Sequence, residues 1–178
     1  LDEDDNEESD NPAPFFNSDK YMKDKILDLT EDTITTFGFI LVDAKILPSK
    51  NGMTLKAVIY RKGEDVSMDD CARLSNVLLR RLDVEVAHFS ENYDLIVESP
   101  GADRRITSVR ELGIFQDREM IFTLKNPSFF GLKENVIQGR VTRLSGETIE
   151  FSSERGTYNM EWSDVAGAKL YFNIKNYL

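Results

Sequence analysis

Met22, Ile26, Leu29, Thr33 and Phe37 recur at the spacing of one helical face, with Ser18 placed to cap the run and Gly38 to stop it. A strand over residues 39–46 follows. Pro48-Ser49-Lys50-Asn51-Gly52 then turns the chain, and residues 53–60 return as a hairpin whose buried face is Leu55, Ala57 and Ile59. Ser67, with Asp70 three residues on, forms a capping-box variant ahead of a second amphipathic helix that carries Cys71, Leu74, Leu78 and Leu82. Tyr93, Leu95 and Val97 alternate with Asp94, Ile96 and Glu98, the period-2 pattern of a strand with one buried face. Helix, strand, strand, helix, strand predicts an α+β fold that begins with a two-layer α/β domain, both helices lying on one side of a small sheet.

After Ile106 the pattern changes to short strands alone, over residues 119–124, 136–144, 147–151, 157–162 and 168–172. Turn signals at Asn126-Pro127, Ser145-Gly146 and Arg155-Gly156 separate them. Such a run suits a small closed or nearly closed β-barrel. The expected organisation is a disordered acidic tail over 1–17, an α/β domain over 18–107 and a barrel domain over 108–178. The tail is charge-dense and then broken by Pro12 and Pro14, and a solvated segment fits it better than a mimic of nucleic acid.

Between the two patterned regions lies the segment Glu98-Ser99-Pro100-Gly101-Ala102-Asp103-Arg104-Arg105-Ile106. Pro100 presets φ for the second position of a turn, and Gly101 is suited to the positive φ that a type II turn requires at the third. Asp103, Arg104 and Arg105 follow at a rigid strand end. Their guanidinium forks suit phosphate or a partner's carboxylate; equally, they suit pinning two domains together. The candidate partner-binding or interdomain residues are therefore Glu98, Ser99, Pro100, Gly101, Asp103, Arg104 and Arg105.

Composition narrows the chemistry. One cysteine, Cys71, excludes an internal disulfide, and it falls on the apolar stripe of its helix, as a structural thiol does. One histidine, His88, leaves no zinc-spaced cluster, and the helix dipole accounts for Asp69-Asp70 without a metal. No cofactor and no metal are expected. No apolar run reaches membrane-spanning length and the first residues lack the regions of a signal peptide, so a cytoplasmic protein is expected. The net charge of -10 resolves into seven acidic groups within residues 1–10, 16 acidic against 13 basic over 19–107, and nine of each over 108–178. Neither half has the basic excess of a protein held to nucleic acid by phosphates alone, so a protein partner fits at least as well as bare RNA. A hydrolase using Asp43, Glu98 or Asp103 is the enzymatic alternative, but neither a nucleophile motif nor a phosphate-cradling glycine loop is present.

Residues 20–175 resemble the bacterial ribosome maturation factor RimP family. The resemblance rests on Phe37-Gly38-Phe39 running into Leu41-Val42-Asp43, on the helix start Ser67-Met68-Asp69-Asp70-Cys71, on the strand and Ser99-Pro100-Gly101-Ala102-Asp103-Arg104, on Gly139-x-Val141, and on Val165-x-x-Ala168-x-Leu170. The chain departs from the family pattern at Arg61, Glu98, Ala102 and Arg105. What the resemblance implies is a non-enzymatic, monomeric assembly factor with an Sm-like or SH3-like C-terminal barrel. It would bind the small ribosomal subunit precursor, including a ribosomal protein of the decoding region and small-subunit rRNA, and promote its maturation. A stand-alone Sm-like RNA-binding protein is the further alternative.

Overall fold

The computed structural model describes residues 18–50 and 52–172. The acidic run over 1–17, expected to be disordered, and the cap expected of the Ser18 side chain lie outside what is described. Helix α1 runs Ser18–Thr36 and closes with a Schellman motif, in which Phe39 N–H donates to the Ile34 carbonyl (3.1 Å) and Gly38 N–H to that of Thr35 (2.9 Å). Gly38 takes φ 79°, which explains why a glycine ends the helix. The motif also corrects the expected stripe. Phe37, in the capping position, is exposed, and the buried face is Ile26, Thr30, Thr33 and Ile34, with Phe39 packed in the same cluster as Ile34.

Strands β1 (Ile40–Ser49) and β2 (Gly52–Tyr60) form an antiparallel pair with a bulge between Leu41 and Asp43. Helix α2 (Met68–Glu85) begins at the expected capping box, Asp70 N–H donating to Ser67 Oγ (3.0 Å) and Ser67 N–H to the Asp70 carboxylate (3.1 Å). A short helix α3 (Phe89–Asn92) leads into β3 (Tyr93–Glu98), which lies parallel to β2, so the sheet order is β1-β2-β3. A parallel neighbour needs a crossover, and α2 supplies it. Both helices pack on one side of the sheet, where Leu74, Leu78 and Leu82 meet Leu55, Ala57 and Ile59.

The opposite side of β2 is buried as well. Val58 and Tyr60, with Val42 of β1, enter the core of a second unit. That unit contains β4 (Arg105–Ile106), α4 (Val109–Ile114), β5 (Met120–Leu124), β6 (Val136–Ser145), β7 (Thr148–Ser153), β8 (Gly156–Glu161) and β9 (Val165–Leu170), with 3-10 turns at Pro127–Phe130 and Trp162–Asp164. Its sheet is ordered β4-β9-β5-β6-β7-β8. The barrel is not closed: among the described residues the end strands β4 and β8 do not pair. Bulges between Val141 and Arg143 in β6, and between Thr123 and Leu124 in β5, bend the sheet around its core, where Phe122 stacks on Phe151 at 4.3 Å. Gly139 lies where β6 runs close to β7; a Cβ there would sit 2.0 Å from the Ser152 carbonyl oxygen.

Candidate functional site at the junction

The turn after β3 differs from the expected one. Arg104 N–H donates to the Gly101 carbonyl (3.0 Å), so Ala102 and Asp103 occupy the corner, and Gly101 is not among the positive-φ glycines. Ser99, Pro100 and Gly101 thus lie between the end of β3 and the reversal of the chain. Past the turn the backbone joins the second sheet: Leu170 N–H donates to the Arg104 carbonyl (2.9 Å), and Arg105 and Ile106 pair with Lys169 and Ala168.

The candidate residues separate accordingly. Glu98 pairs with Lys56 at 2.9 Å. Ser99, Pro100 and Gly101 line a cleft of about 220 Å³ whose other walls include Tyr60, Arg118 and Leu170. A Ser99 backbone hydrogen bond also reaches the Cys71 thiol, which burial and the neighbouring Asp70 carboxylate push above its ordinary value. Asp103 and Arg105 are exposed. Arg104 turns inward, its Nη2 lying 2.6 Å from Glu111 Oε1 and 3.6 Å from Asp43 Oδ2, so one guanidinium ties β1 to α4.

Glu111 is the least expected member of this group. It is 5% exposed, and its second oxygen accepts Thr107 N–H (2.8 Å) and Thr107 Oγ1–H (3.3 Å). A carboxylate buried to this degree is tolerated because both oxygens are bonded and a cation faces one of them. Ser108 places it by capping α4, accepting Glu111 N–H at 3.2 Å. The sequence carries a signal for this helix in Ser108-Val109-Arg110-Glu111 ahead of Leu112, Ile114 and Phe115, a capping-box spacing that the strand-only reading passed over.

Two further clamps cross the junction. Arg110 donates to the carbonyls of Leu41 and Val42, each at 3.0 Å, at the bulge where the β1 register shifts. Tyr60 Oη donates to the Asp117 carboxylate (2.7 and 2.8 Å to its two oxygens), and Gly63 N–H donates to the same group at 3.0 Å. Burial first, and the adjacent Asp117 second, push the Tyr60 phenol well above its ordinary value. Its ring meets Phe115 edge-on at 4.8 Å. Arg118 and Asp65 add an outer ion pair at 2.9 Å.

The carboxylates of the hydrolase alternative do not converge. Asp43 and Glu98 both sit opposite Val58 in the register, on either side of it, roughly 10 Å apart by strand spacing. Each faces its own cation, Lys45 at 2.7 Å and Lys56 at 2.9 Å, while Asp103 lies on the turn. His88 is exposed, its Nδ1 3.0 Å from Glu91. Among the described residues no group of His, Cys, Asp and Glu could hold a metal ion, and no helix is long and apolar enough to cross a membrane. The arrangement is a set of bonded clamps between two units, flanked by an exposed turn and a shallow cleft.

Residues 29–103, from Leu29 in α1 through β1, β2, α2, α3 and β3 to the turn at Asp103, match the model of the RimP N-terminal domain. The strand, the turn and the helices that build one side of the junction are thus similar to those of the RimP N-terminal domain.

Proposed function

We propose that the chain is a non-enzymatic factor that binds the assembling small ribosomal subunit and promotes its maturation. The match of residues 29–103 to the RimP N-terminal domain carries this reading. The partners would be a ribosomal protein of the decoding region and small-subunit rRNA, and the factor would act as a cytoplasmic monomer. The working division is a tail over 1–17, an α/β domain over 18–107 and an Sm-like or SH3-like barrel over 108–178. In this reading the loop at the junction faces the partner through Asp103, Arg105 and the cleft wall of Ser99, Pro100 and Gly101, while Glu98 and Arg104 brace it.

The apolar contact between the units supports joint action over a stand-alone RNA-binding barrel. Val42, Val58 and Tyr60 come from the first sheet yet pack among Ile106, Leu112 and Phe115 of the second unit, so a lone barrel would expose part of its core. Affinity purification of the tagged chain from growing cells tests the proposal. Free small subunits with immature rRNA ends are expected to copurify, and complete ribosomes are not. Equal recovery of complete ribosomes, or recovery of neither, overturns it.

A further inference from the structure

We propose that the outer face of the second sheet, across β4, β9 and β5 to the first half of β6, binds the phosphate backbone of single-stranded RNA. The inference deepens the reading above and rests on it.

Charge counting hides this face. Residues 108–178 carry nine acidic and nine basic side chains, a neutral balance. Of the acids, Glu111, Glu119 and Glu134 are held in ion pairs, while Asp117, Glu150 and Glu161 accept hydrogen bonds from neutral hydroxyls and keep their charge. Among the described residues, Arg105, Lys125, Lys133, Arg143 and Lys169 hold no acidic partner. The second unit is neutral in sum, but its unpaired cations Arg105 and Lys169 lie on β4 and β9, whereas Glu150 and Glu161 lie on β7 and β8.

Register gathers part of that charge on one surface. Ile106, Ala168, Phe122 and Ile137 point into the core, so the alternate positions Arg105, Lys169, Ile121 and Gln138 face outward. Those four form a continuous row across β4, β9, β5 and β6. Arg105 and Lys169 stand directly opposite each other, and like charges in cross-strand register destabilise a sheet unless something neutralises them. Lys125 extends the outward line of β5 past Thr123, roughly 13 Å from Ile121 at the rise of a strand. A groove of about 580 Å³ borders the row, lined by Gln138, Arg140, Arg155, Glu119 and Glu154 among others, with Arg140 paired to Glu119 and Arg155 to Glu134.

A chain carrying one negative charge per unit suits two adjacent cations at one corner and a third at a distance. Between them, Thr123 and Gln138 are uncharged hydrogen-bonding groups of the kind that meet ribose hydroxyls, Gln138 also donating its amide to Glu119 at 3.2 Å. Arg105 supplies a planar fork and Lys169 a point charge, both established ways of holding phosphate.

The test is fluorescence anisotropy of a labelled mixed-sequence oligoribonucleotide of about 12 nucleotides with the full chain, at salt concentrations between about 50 and 200 mM. The chain is expected to bind. Arg105→Gln with Lys169→Gln should reduce the slope of log affinity against log salt by about 1.4, two charges at roughly 0.7 each for a single strand. Affinity at the lowest salt should fall at least tenfold, with a melting temperature equal to or above the parent's because the like-charge pair is gone, while Lys20→Gln with Lys23→Gln on α1 should leave affinity unchanged. An unaltered slope in the sheet double variant, absence of binding by the parent chain, or equal binding of oligo-glutamate overturns the inference, the last in favour of an acidic peptide. Failure here would leave copurification with small subunits intact, whereas failure of the functional reading would abolish copurification whatever the RNA result.

Discussion

Arg104 and Arg105 are neighbours with opposite roles. The Arg104 side chain is 18% exposed and the Glu111 side chain it faces 7%, so Arg104→Ala would leave a buried carboxylate without its cation, at a cost of roughly 3 kcal/mol in denaturant unfolding. Arg105→Ala should stay within about 0.5 kcal/mol, because its side chain is exposed. A second contrast concerns two glycines of the family pattern. Gly139→Ala forces a methyl onto the Ser152 carbonyl and should cost roughly 3 kcal/mol, whereas Gly101→Ala meets open space at an ordinary φ and should be nearly neutral. Urea midpoints of the four variants check both contrasts. Tyr60 gives a pH signature. The folded state keeps the phenol protonated at pH values where the unfolded chain ionises, above about 10. The stabilisation is therefore complete below that value and drains away as pH rises toward the raised folded value. Between about pH 8 and 11 the parent chain should lose more of its melting temperature than Tyr60→Phe does.

Elements with a full period were legible in the sequence, and short ones were not. Strands β5 to β9 came within a few residues of their places because each alternates between turn signals, and α2 was marked by both its stripe and its cap. Strand β4 has two residues, too few to carry a period, and only its partner β9 makes it a strand. The second buried face of β2 was hidden for a different reason: a strand covered on both sides shows no polar alternation, so Val58 and Tyr60 read as part of an apolar run. Within the candidate site the turn was legible, while its corner was misplaced by two residues. Asp117 could not be found at all, because its partner Tyr60 lies 57 positions away. At this scale the cap of α2 makes a checkable case. The Ser67 hydroxyl and backbone hold the Asp70 carboxylate below its ordinary value, so this contribution is present at neutral pH and fades as pH falls through the lowered value. Ser67→Ala should melt earlier than the parent chain at pH 7, and the gap should narrow below about pH 4.

The whole molecule is organised by what crosses its middle. Arg104 joins Asp43 to Glu111, Arg110 holds the β1 carbonyls, Tyr60 reaches Asp117, and beneath them one apolar core draws side chains from both units. Separate expression of residues 18–103 and 104–172 should therefore give pieces that keep much of their far-ultraviolet signal but melt well below the joined chain. Mixing them should recover part of the loss; pieces as stable as the parent would show that the junction contributes little.

Strand β2 lies between two hydrophobic clusters and is hydrogen-bonded to a neighbour on each edge. Opening of the second unit leaves both ladders and the helix-side wall in place, and opening of the first must break both ladders and withdraw Val42, Val58 and Tyr60 from the second unit's core. Its backbone protons should then exchange with deuterated water only through global unfolding, and Leu55 to Ile59 should be the slowest in the chain. A factor built this way has its most protected segment at the seam between its units, so a bound subunit that grips either one would act on a body whose two parts cannot loosen independently.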